Sequence, residues 1–465
     1  MKILLIKPSN NNCVFRLCQP LGIMYLAAYV RERFDVDIKL FDMRCYRKNL
    51  AYLKLKKLLK NFCPDIIGIS ALTIEKEAAT KVAKLSKENI PDATIVMGGP
   101  YPSSAPDMAL LDSNIDYIVM GEGEEIFVRL LKKIENNEKP YNLPGVGFRN
   151  QEEIIINKIK SDFIDITKLP FPAWDLINME SYFRKESMTT LGPRKYMTVM
   201  TTRGCPYKCE YCHNIFGKDF RTRDINNVIE ELKILKEKYK ITDIEFVDDC
   251  FNFKKERLCD FFHRIIKENL KLNISFPNGV RIDLLDEDAI RLMKWGGVNY
   301  VCFGLETASI RLQKEIKKNL DLDKAKKIIY LTNKYKIFSV GYFMLGFPGE
   351  TKNEIESTID FAVNSELCIA AFFVVIPYTK EMQYYYAQKE RLRDNLSRAN
   401  YSCSSINLSS LTDSQFKRLH KFAFIRFYFS PKRIYRIIKF APNSSKIHII
   451  LYGIIHIIYL LIILR

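Results

Sequence analysis

Apolar residues recur along this chain with two alternating periods. Short β-rich runs occur at Lys2 to Lys7, Val36 to Phe41, Ile66 to Ser70, Thr94 to Met97 and Tyr117 to Met120, each of a length suited to a buried strand. Between them, segments such as Leu21 to Arg33 and Glu75 to Glu88 repeat their apolar positions at helical spacing. Strand and helix alternating in this way over residues 1–140 predict an α/β fold, a doubly wound parallel sheet of about five strands. Ligands of such sheets bind at the carboxyl ends of the strands. Those ends carry Ser70-Ala71-Leu72-Thr73, Gly98-Gly99-Pro100 and Gly121-Glu122-Gly123-Glu124. Glycine pairs at strand ends serve tight turns equally well.

Residues 141–192 break the pattern with prolines and read as a linker holding a short strand or two. A second alternating series fills residues 193–400. Its strand-like runs are Tyr196 to Thr202, Asp243 to Val247, Leu272 to Pro277, Asn299 to Leu305, Phe338 to Leu345 and Ile369 to Ile376. Among its helices, Ile225 to Tyr239 places Ile225, Val228, Ile229, Leu232 and Leu235 on one face. Asp286 is a suitable helix N-cap and Gly296 a suitable stop. Six β/α units in a row predict a partial (β/α)6 barrel with its site at the strand carboxyl ends. Residues 401–465 read as a helical, basic C-terminal region with an apolar tail at 447–464.

Composition narrows the class. A chain of 465 residues, 48% hydrophobic and 27% charged, is globular and long enough for two domains and an appendage. The start MKILLIKPSN has no apolar core or cleavage site of a signal peptide, so a cytoplasmic protein is expected. There, twelve cysteines are expected as thiols or metal ligands rather than disulfides. Nine are scattered. Three are not.

Cys205, Cys209 and Cys212 have the spacing C-x3-C-x2-C in a loop that follows the first strand of the second series. Three thiolates can hold three irons of a [4Fe-4S] cubane, leaving the fourth iron open to chelate a small molecule and pass it an electron. A structural zinc of the Cys3His type, with His213, is the rival reading.

With this cysteine spacing in the first loop of a partial barrel, residues 190 to 400 resemble the radical S-adenosylmethionine superfamily. The resemblance implies an enzyme that cleaves S-adenosylmethionine to a 5′-deoxyadenosyl radical and draws electrons from a donor such as flavodoxin or ferredoxin. It implies Tyr211 beside the adenine, and Asp248 and Asp249, in Glu245-Phe246-Val247-Asp248-Asp249, near the amino group of S-adenosylmethionine. Glu306, in Gly304-Leu305-Glu306-Thr307, is expected at the ribose or carboxylate, and Gly346, in the string from Gly341 to Glu350, near the adenine. Each acid taken singly could be a helix cap. Arg281 ends the third strand and could grip a carboxylate in two places or lie on the surface. No catalytic acid or base is assigned.

The first series resembles the cobalamin-binding domains fused ahead of such barrels, through Pro20-Leu21-Gly22-Ile23, Pro64 to Ser70, Gly98-Gly99-Pro100 and Gly121 to Glu124. Ser70, Leu72, Thr73, Gly98, Gly99, Pro100, Gly121 and Glu122 are the expected cobalamin contacts. The D-x-H-x-x-G string that gives many such domains a cobalt-binding histidine is missing. All five histidines, His213, His263, His420, His448 and His456, fall outside residues 1–140.

Residues 401–465 hold ten Lys or Arg against one acid, Asp413, a net +9 of the chain's +18. Ile447 to Leu464 carries no formal charge and would span about 27 Å as a helix, the short limit for a bilayer core. It could span a membrane, lie at its surface, or pack on the barrel. Association with a membrane surface is favoured by the upstream basic cluster. Nucleic acid is not an expected partner, since the basic residues adjoin isoleucines rather than aromatic stacking platforms.

The expected function is methyl transfer to an unactivated carbon of a small-molecule or lipid substrate. Cyclisation, oxidation or rearrangement with the same cofactors is the second expectation, and a non-catalytic cobalamin and Fe–S sensor the third.

Overall fold

The computed structural model describes residues 1–9, 17–151, 153–160, 163–212, 215–377, 407–442 and 445–451. The chain divides into two compact units, Met1–Tyr182 with Asn214–Gly217, and Phe183–His213 with Lys218–Arg465.

The first unit is built on strands β1 (Lys2–Lys7), β2 (Asp37–Asp42), β3 (Ile66–Ser70), β4 (Thr94–Gly98), β5 (Tyr117–Val119), β6 (Val146–Asn150) and β7 (Glu153–Ile156). They form one sheet in the order β2-β1-β3-β4-β5-β6-β7. The first five are parallel, and the order reverses between β1 and β3, which opens a crevice at their carboxyl ends. Helices α1 (Leu21–Arg31), α2 (Lys48–Phe62), α3 (Lys76–Asn89), α4 (Pro100–Ser104), α5 (Pro106–Leu110) and α6 (Gly123–Glu135) connect them. Ile67, Ile69, Ile95 and Met97 are fully buried, because a parallel strand covered on both faces has no polar side.

The segment expected as a linker supplies β6 and β7, which extend the sheet antiparallel to β5. The short strand or two expected in this segment are β6 and β7, and Gly147 lies inside β6. A Cβ there would crowd the Ile118 side chain at 2.8 Å, so glycine suits the close approach. Beyond β7, Ala173 N donates to Met24 O at 3.2 Å, Trp174 is buried, and the Tyr182 hydroxyl donates to Asp42 at 2.8 Å. Much of the supposed linker is therefore part of the first unit.

The second unit holds β8 (Tyr196–Val199), a two-residue antiparallel ribbon of β9 (Thr202–Arg203) and β10 (Arg221–Thr222), β11 (Asp243–Phe246), β12 (Asn273–Val280), β13 (Val298–Glu306), β14 (Phe338–Leu345) and β15 (Ile369–Val374). Six of them form a parallel sheet in the order β15-β14-β13-β12-β11-β8. The helices are α7 (Met179–Phe183), which straddles the boundary of the units, α8 (Ile225–Glu237), α9 (Lys255–Lys267), α10 (Glu287–Trp295), α11 (Ile310–Glu315), α12 (Leu322–Lys334) and α13 (Lys352–Asn364). Val228, Ile229, Leu232 and Leu235 bury the expected face of α8. Asp286 caps α10 by accepting from Ala289 N, and Gly296 ends it.

The basic region folds into α14 (Asp413–Tyr428) and α15 (Pro431–Phe440). His420 on α14 hydrogen-bonds the Phe372 carbonyl at 2.9 Å. Arg433 on α15 is buried and donates to Val363 O at 2.8 Å and Ser365 O at 2.9 Å, satisfying carbonyls at the end of α13. Residues 446–451 are helical, and Ile449 is buried with Leu191, Tyr300, Phe338 and Val340. The rest of the apolar tail, 452–464, lies outside the described residues. Among those described, no helix is long and apolar enough to cross a membrane.

Candidate active site

In the second unit, the loop carrying Cys205, Cys209 and Cys212 starts at Gly204, whose φ of 84° lies in the region that favours glycine. Contacts within its own segment and from later β/α units hold this loop. Glu210 N donates to Ile316 O at 3.2 Å and the Lys218 ammonium to Tyr207 O at 2.6 Å. The Tyr211 hydroxyl donates to Glu306 at 3.0 Å, and its ring meets Phe347 edge-on at 6.3 Å. Arg281 lies 3.6 Å from the Tyr207 ring centre. Tyr211, Arg281, Glu306 and the loop around Gly346 thus gather about the three cysteines, although they come from different β/α units.

The two aspartates do different things. Asp248 is buried, and one carboxylate oxygen accepts from Thr201 N at 2.8 Å, Thr201 Oγ1 at 2.9 Å and Thr202 Oγ1 at 2.7 Å. It pins the residues that lead into the cysteine loop. Burial pushes its pKa up despite these donors and the nearby Arg257. Asp249 is exposed and close enough to Cys205 and Cys212 for its charge to disfavour both thiolates, as a minor contribution beside the Cys250 hydrogen bond at Cys205 and desolvation at Cys212. Arg281 is less free than the sequence suggested, since its Nε donates to Asp283 at 2.9 Å and one terminal nitrogen to Lys318 O at 2.7 Å.

Glu306 takes a φ of 63°, a strained value for a residue with a side chain. It accepts from Tyr211 and from the Lys318 ammonium at 3.2 Å. Burial and this carboxylate push the Tyr211 hydroxyl well above the usual phenol range. Gly346 takes a φ of 88°, and its N–H donates to Glu350 at 2.6 Å. Phe347 N donates to the same oxygen at 3.1 Å. Glu350, fully buried, is raised to about 8 by desolvation. Sequence reading assigned no role to Glu350 or Lys318. The only signal for Glu350 was its place at the end of the Gly341 to Glu350 string.

The donor set suits an iron–sulfur cube. A hydrogen bond with Cys250 lowers Cys205 to about 6, whereas desolvation and then Cys209 and Cys205 push Cys212 up to about 12. Cys212 thus resists ionising beside its neighbours, and a metal that takes it as a thiolate removes that cost. Among the described residues, no three His, Cys, Asp or Glu converge on one point as a single ion requires. Each cysteine of a cube binds a different iron, so such convergence is not needed. His213, the fourth ligand of the zinc reading, lies outside the described residues.

In the first unit, the candidate residues meet at the ends of β3, β4 and β5. Ala71 N donates to Gly98 O at 3.0 Å and Tyr101 N to Ala71 O at 3.0 Å. The Ser103 hydroxyl, which sequence reading missed, donates to Gly99 O at 2.8 Å and accepts from Gly121 N at 2.9 Å. Gly99 has a φ of 92°, and a Cβ on it would meet Ala71 O at 3.0 Å. Ser70 O accepts from Lys7, whose ammonium is buried against Glu75. Leu72 is partly exposed, with its N–H held by Glu75 at 2.8 Å. Thr73 is exposed, and Pro100 opens α4. Gly121 and Glu122 line a cavity of about 350 Å³ with Ile126, Arg129, Ile159 and Phe163. Small residues and backbone along one edge of the sheet suit a broad, flat ligand such as a corrin, and the first unit offers its metal no histidine among residues 1–182.

The model of the radical SAM superfamily matches residues 199–362, and that of the B12 binding domain matches residues 10–131. An uncharacterized methyltransferase of Pyrococcus horikoshii is 32% identical over 441 residues, which cover 93% of either chain. Cytidylyl-2-hydroxyethylphosphonate methyltransferase of Streptomyces wedmorensis is 27% identical, over 81% of this chain and 79% of its own. Among solved structures, the radical S-adenosylmethionine methyltransferase TsrM of Kitasatospora setae, with cobalamin and a [4Fe-4S] cluster bound, aligns with a TM-score of 0.68 at 16% identity. That alignment covers 83% of this chain and 75% of the other, and it speaks to the fold.

Proposed function

This chain belongs to the radical SAM enzymes that carry a B12 binding domain, and from that premise we propose that it transfers a methyl group from S-adenosylmethionine to an unactivated carbon. The observation that carries the reading is the gathering of Tyr211, Glu306 and Asp249 around Cys205, Cys209 and Cys212. The names of the two methyltransferase relatives favour methyl transfer over cyclisation or oxidation.

Cys205, Cys209 and Cys212 would hold a [4Fe-4S] cluster. Ser70, Leu72, Gly98, Gly99 and Gly121 would lie against cobalamin. Together these cofactors supply one-electron cleavage of S-adenosylmethionine and methyl carriage. The chain's own residues supply position. Asp248 fixes the entry to the cysteine loop through Thr201 and Thr202, and Tyr211 ties the loop to the end of β13. Asp249 offers an exposed carboxylate to an ammonium beside the cysteines. The electron donor would be a flavodoxin or ferredoxin. The protein would be cytoplasmic and meet membranes at their surface through the basic residues after position 413, and the uncharged run from Ile447 to Leu464 favours a lipid over another small molecule as substrate.

The test is anaerobic reconstitution followed by S-adenosylmethionine with a labelled methyl group. Methyl transfer requires release of S-adenosylhomocysteine alongside 5′-deoxyadenosine; 5′-deoxyadenosine alone would favour the cyclase or oxidase reading. Cys205→Ala, Cys209→Ala and Cys212→Ala are each expected to lose the iron and both products. Full iron content in all three would overturn the cluster assignment.

A further inference from the structure

Helix α15 turns two different faces outward and inward. Arg433, Ile437 and Phe440 face the protein, with Arg433 fixed on the carbonyls that end α13 and Ile437 and Phe440 packed beside Tyr300 and Phe338. At about 100° per residue, Ile434 and Ile438 then form an outer ridge, and Lys432, Tyr435 and Lys439 form the ridge beside it. The structure leaves both ridges in solvent: Ile434 is 43%, Ile438 38% and Tyr435 64% exposed, and both lysines are exposed. Phe429, just before the helix, is 51% exposed.

We propose that this outer face of α15 docks on an anionic phospholipid surface, with the isoleucine ridge set into the head-group boundary and the lysines on the phosphates. An apolar ridge beside a basic one is the arrangement of helices that lie in the plane of an interface. No Asp or Glu occurs between residues 414 and 465, so nothing on the local chain neutralises the lysines. Tyr435, on the side of the basic ridge nearest the isoleucines, has an apolar ring and a polar tip suited to the same boundary. The uncharged run begins seven residues after α15, at exposed Ile447, and continues on the same polypeptide. The inward anchor matters as much as the outer face. Because Arg433 is held by backbone carbonyls of the barrel, a docked α15 keeps the whole second unit at the surface rather than trailing it on a flexible segment.

The proposal requires no cluster or cobalamin, so its failure and that of the enzymatic reading are separate. Full-length protein is mixed with vesicles of phosphatidylcholine alone or of phosphatidylcholine with phosphatidylglycerol, and sedimented. The expected result is co-sedimentation with the anionic vesicles only, reversed by raised salt. The double variant Ile434→Asp, Ile438→Asp should lower the bound fraction about tenfold. Since a buried edge of these isoleucines could affect folding, Lys432→Gln with Lys439→Gln provides a second arm confined to exposed side chains. It should lower binding several-fold with an unchanged thermal transition. Wild-type protein left in the supernatant, or either double variant binding as wild type does, would overturn the proposal. Binding that disappears only when residues 452–464 are removed would assign the contact to the tail and overturn it equally.

Discussion

The hydroxyl of Tyr211 donates to the carboxylate of Glu306 across 3.0 Å, joining the cysteine loop to the end of β13. The two residues are 95 positions apart. Glu306 accepts from Lys318 as well, so removing the tyrosine hydroxyl leaves the acid with a partner. Tyr211→Phe should therefore keep its iron, while the lost bond costs about 1 kcal/mol. The expected outcome is a roughly fivefold rise in KM for S-adenosylmethionine with kcat little changed. Iron loss comparable to that of a cysteine variant would show the contact to be structural only.

Gly99 predicts a contrast between two alanine substitutions. At Gly99, with φ at 92°, a Cβ would press on Ala71 and Ser70 within 3.0–3.2 Å. At Gly22, inside α1, a Cβ meets nothing within 4 Å. Gly99→Ala should lose on the order of 1–2 kcal/mol and retain less cobalamin, while Gly22→Ala should gain up to about 1 kcal/mol. Chemical denaturation and the cobalamin absorbance of the purified chains would decide. Equal behaviour of the two variants would remove the structural role given to Gly99.

Glu350 makes stability depend on pH in a stated direction. Its pKa is raised from 4.5 to about 8 by burial, so between those values the folded chain keeps a proton that the unfolded chain releases. Stability is therefore highest below about pH 4.5 as far as this group is concerned, and its contribution is lost as pH rises through about 8. A glutamine still accepts from Gly346 and Phe347 without a charge to bury. Glu350→Gln should match wild type near pH 5 and exceed it near pH 9, by on the order of 3 kcal/mol. A difference in melting temperature that did not grow with pH would contradict this.

Arg433 predicts the cost of detaching the C-terminal region. It donates to carbonyls at the end of α13 that have no other helical partner. Arg433→Met keeps much of the volume and leaves those carbonyls bare, which should cost about 2–3 kcal/mol. Hydrogen exchange should rise at α14, α15 and the end of α13 while the cysteine loop keeps its protection. Unchanged exchange at α15 would mean that its packing does not depend on the arginine.

Much of this protein was legible in the sequence, for identifiable reasons. A parallel strand buried on both faces must be apolar throughout, so β1, β3, β4 and the six barrel strands stood out as runs. Three cysteines at close spacing in one loop are local chemistry and needed no fold to be noticed. Asp286 and Gly296 marked the ends of α10 because capping is also local.

Tertiary structure decided what depends on residues far apart in the chain. Residues 141–192 were expected to hold a short strand or two, but that β6 and β7 pair onto the edge of the first sheet at β5 depends on residues distant in the chain. Asp248 and Asp249 are adjacent and chemically alike, yet one is buried on Thr201 and Thr202 and the other is exposed beside the cysteines. Glu350 carries an ordinary acid's identity, and its raised pKa comes from the protein packed around it. The basic C-terminal count suggested a membrane, but the sequence could not say that Arg433 turns inward while Lys432 and Lys439 remain outside. Periodicity and local chemistry are properties of neighbours along the chain, whereas burial and hydrogen-bond partnership arise only when distant segments exclude water together.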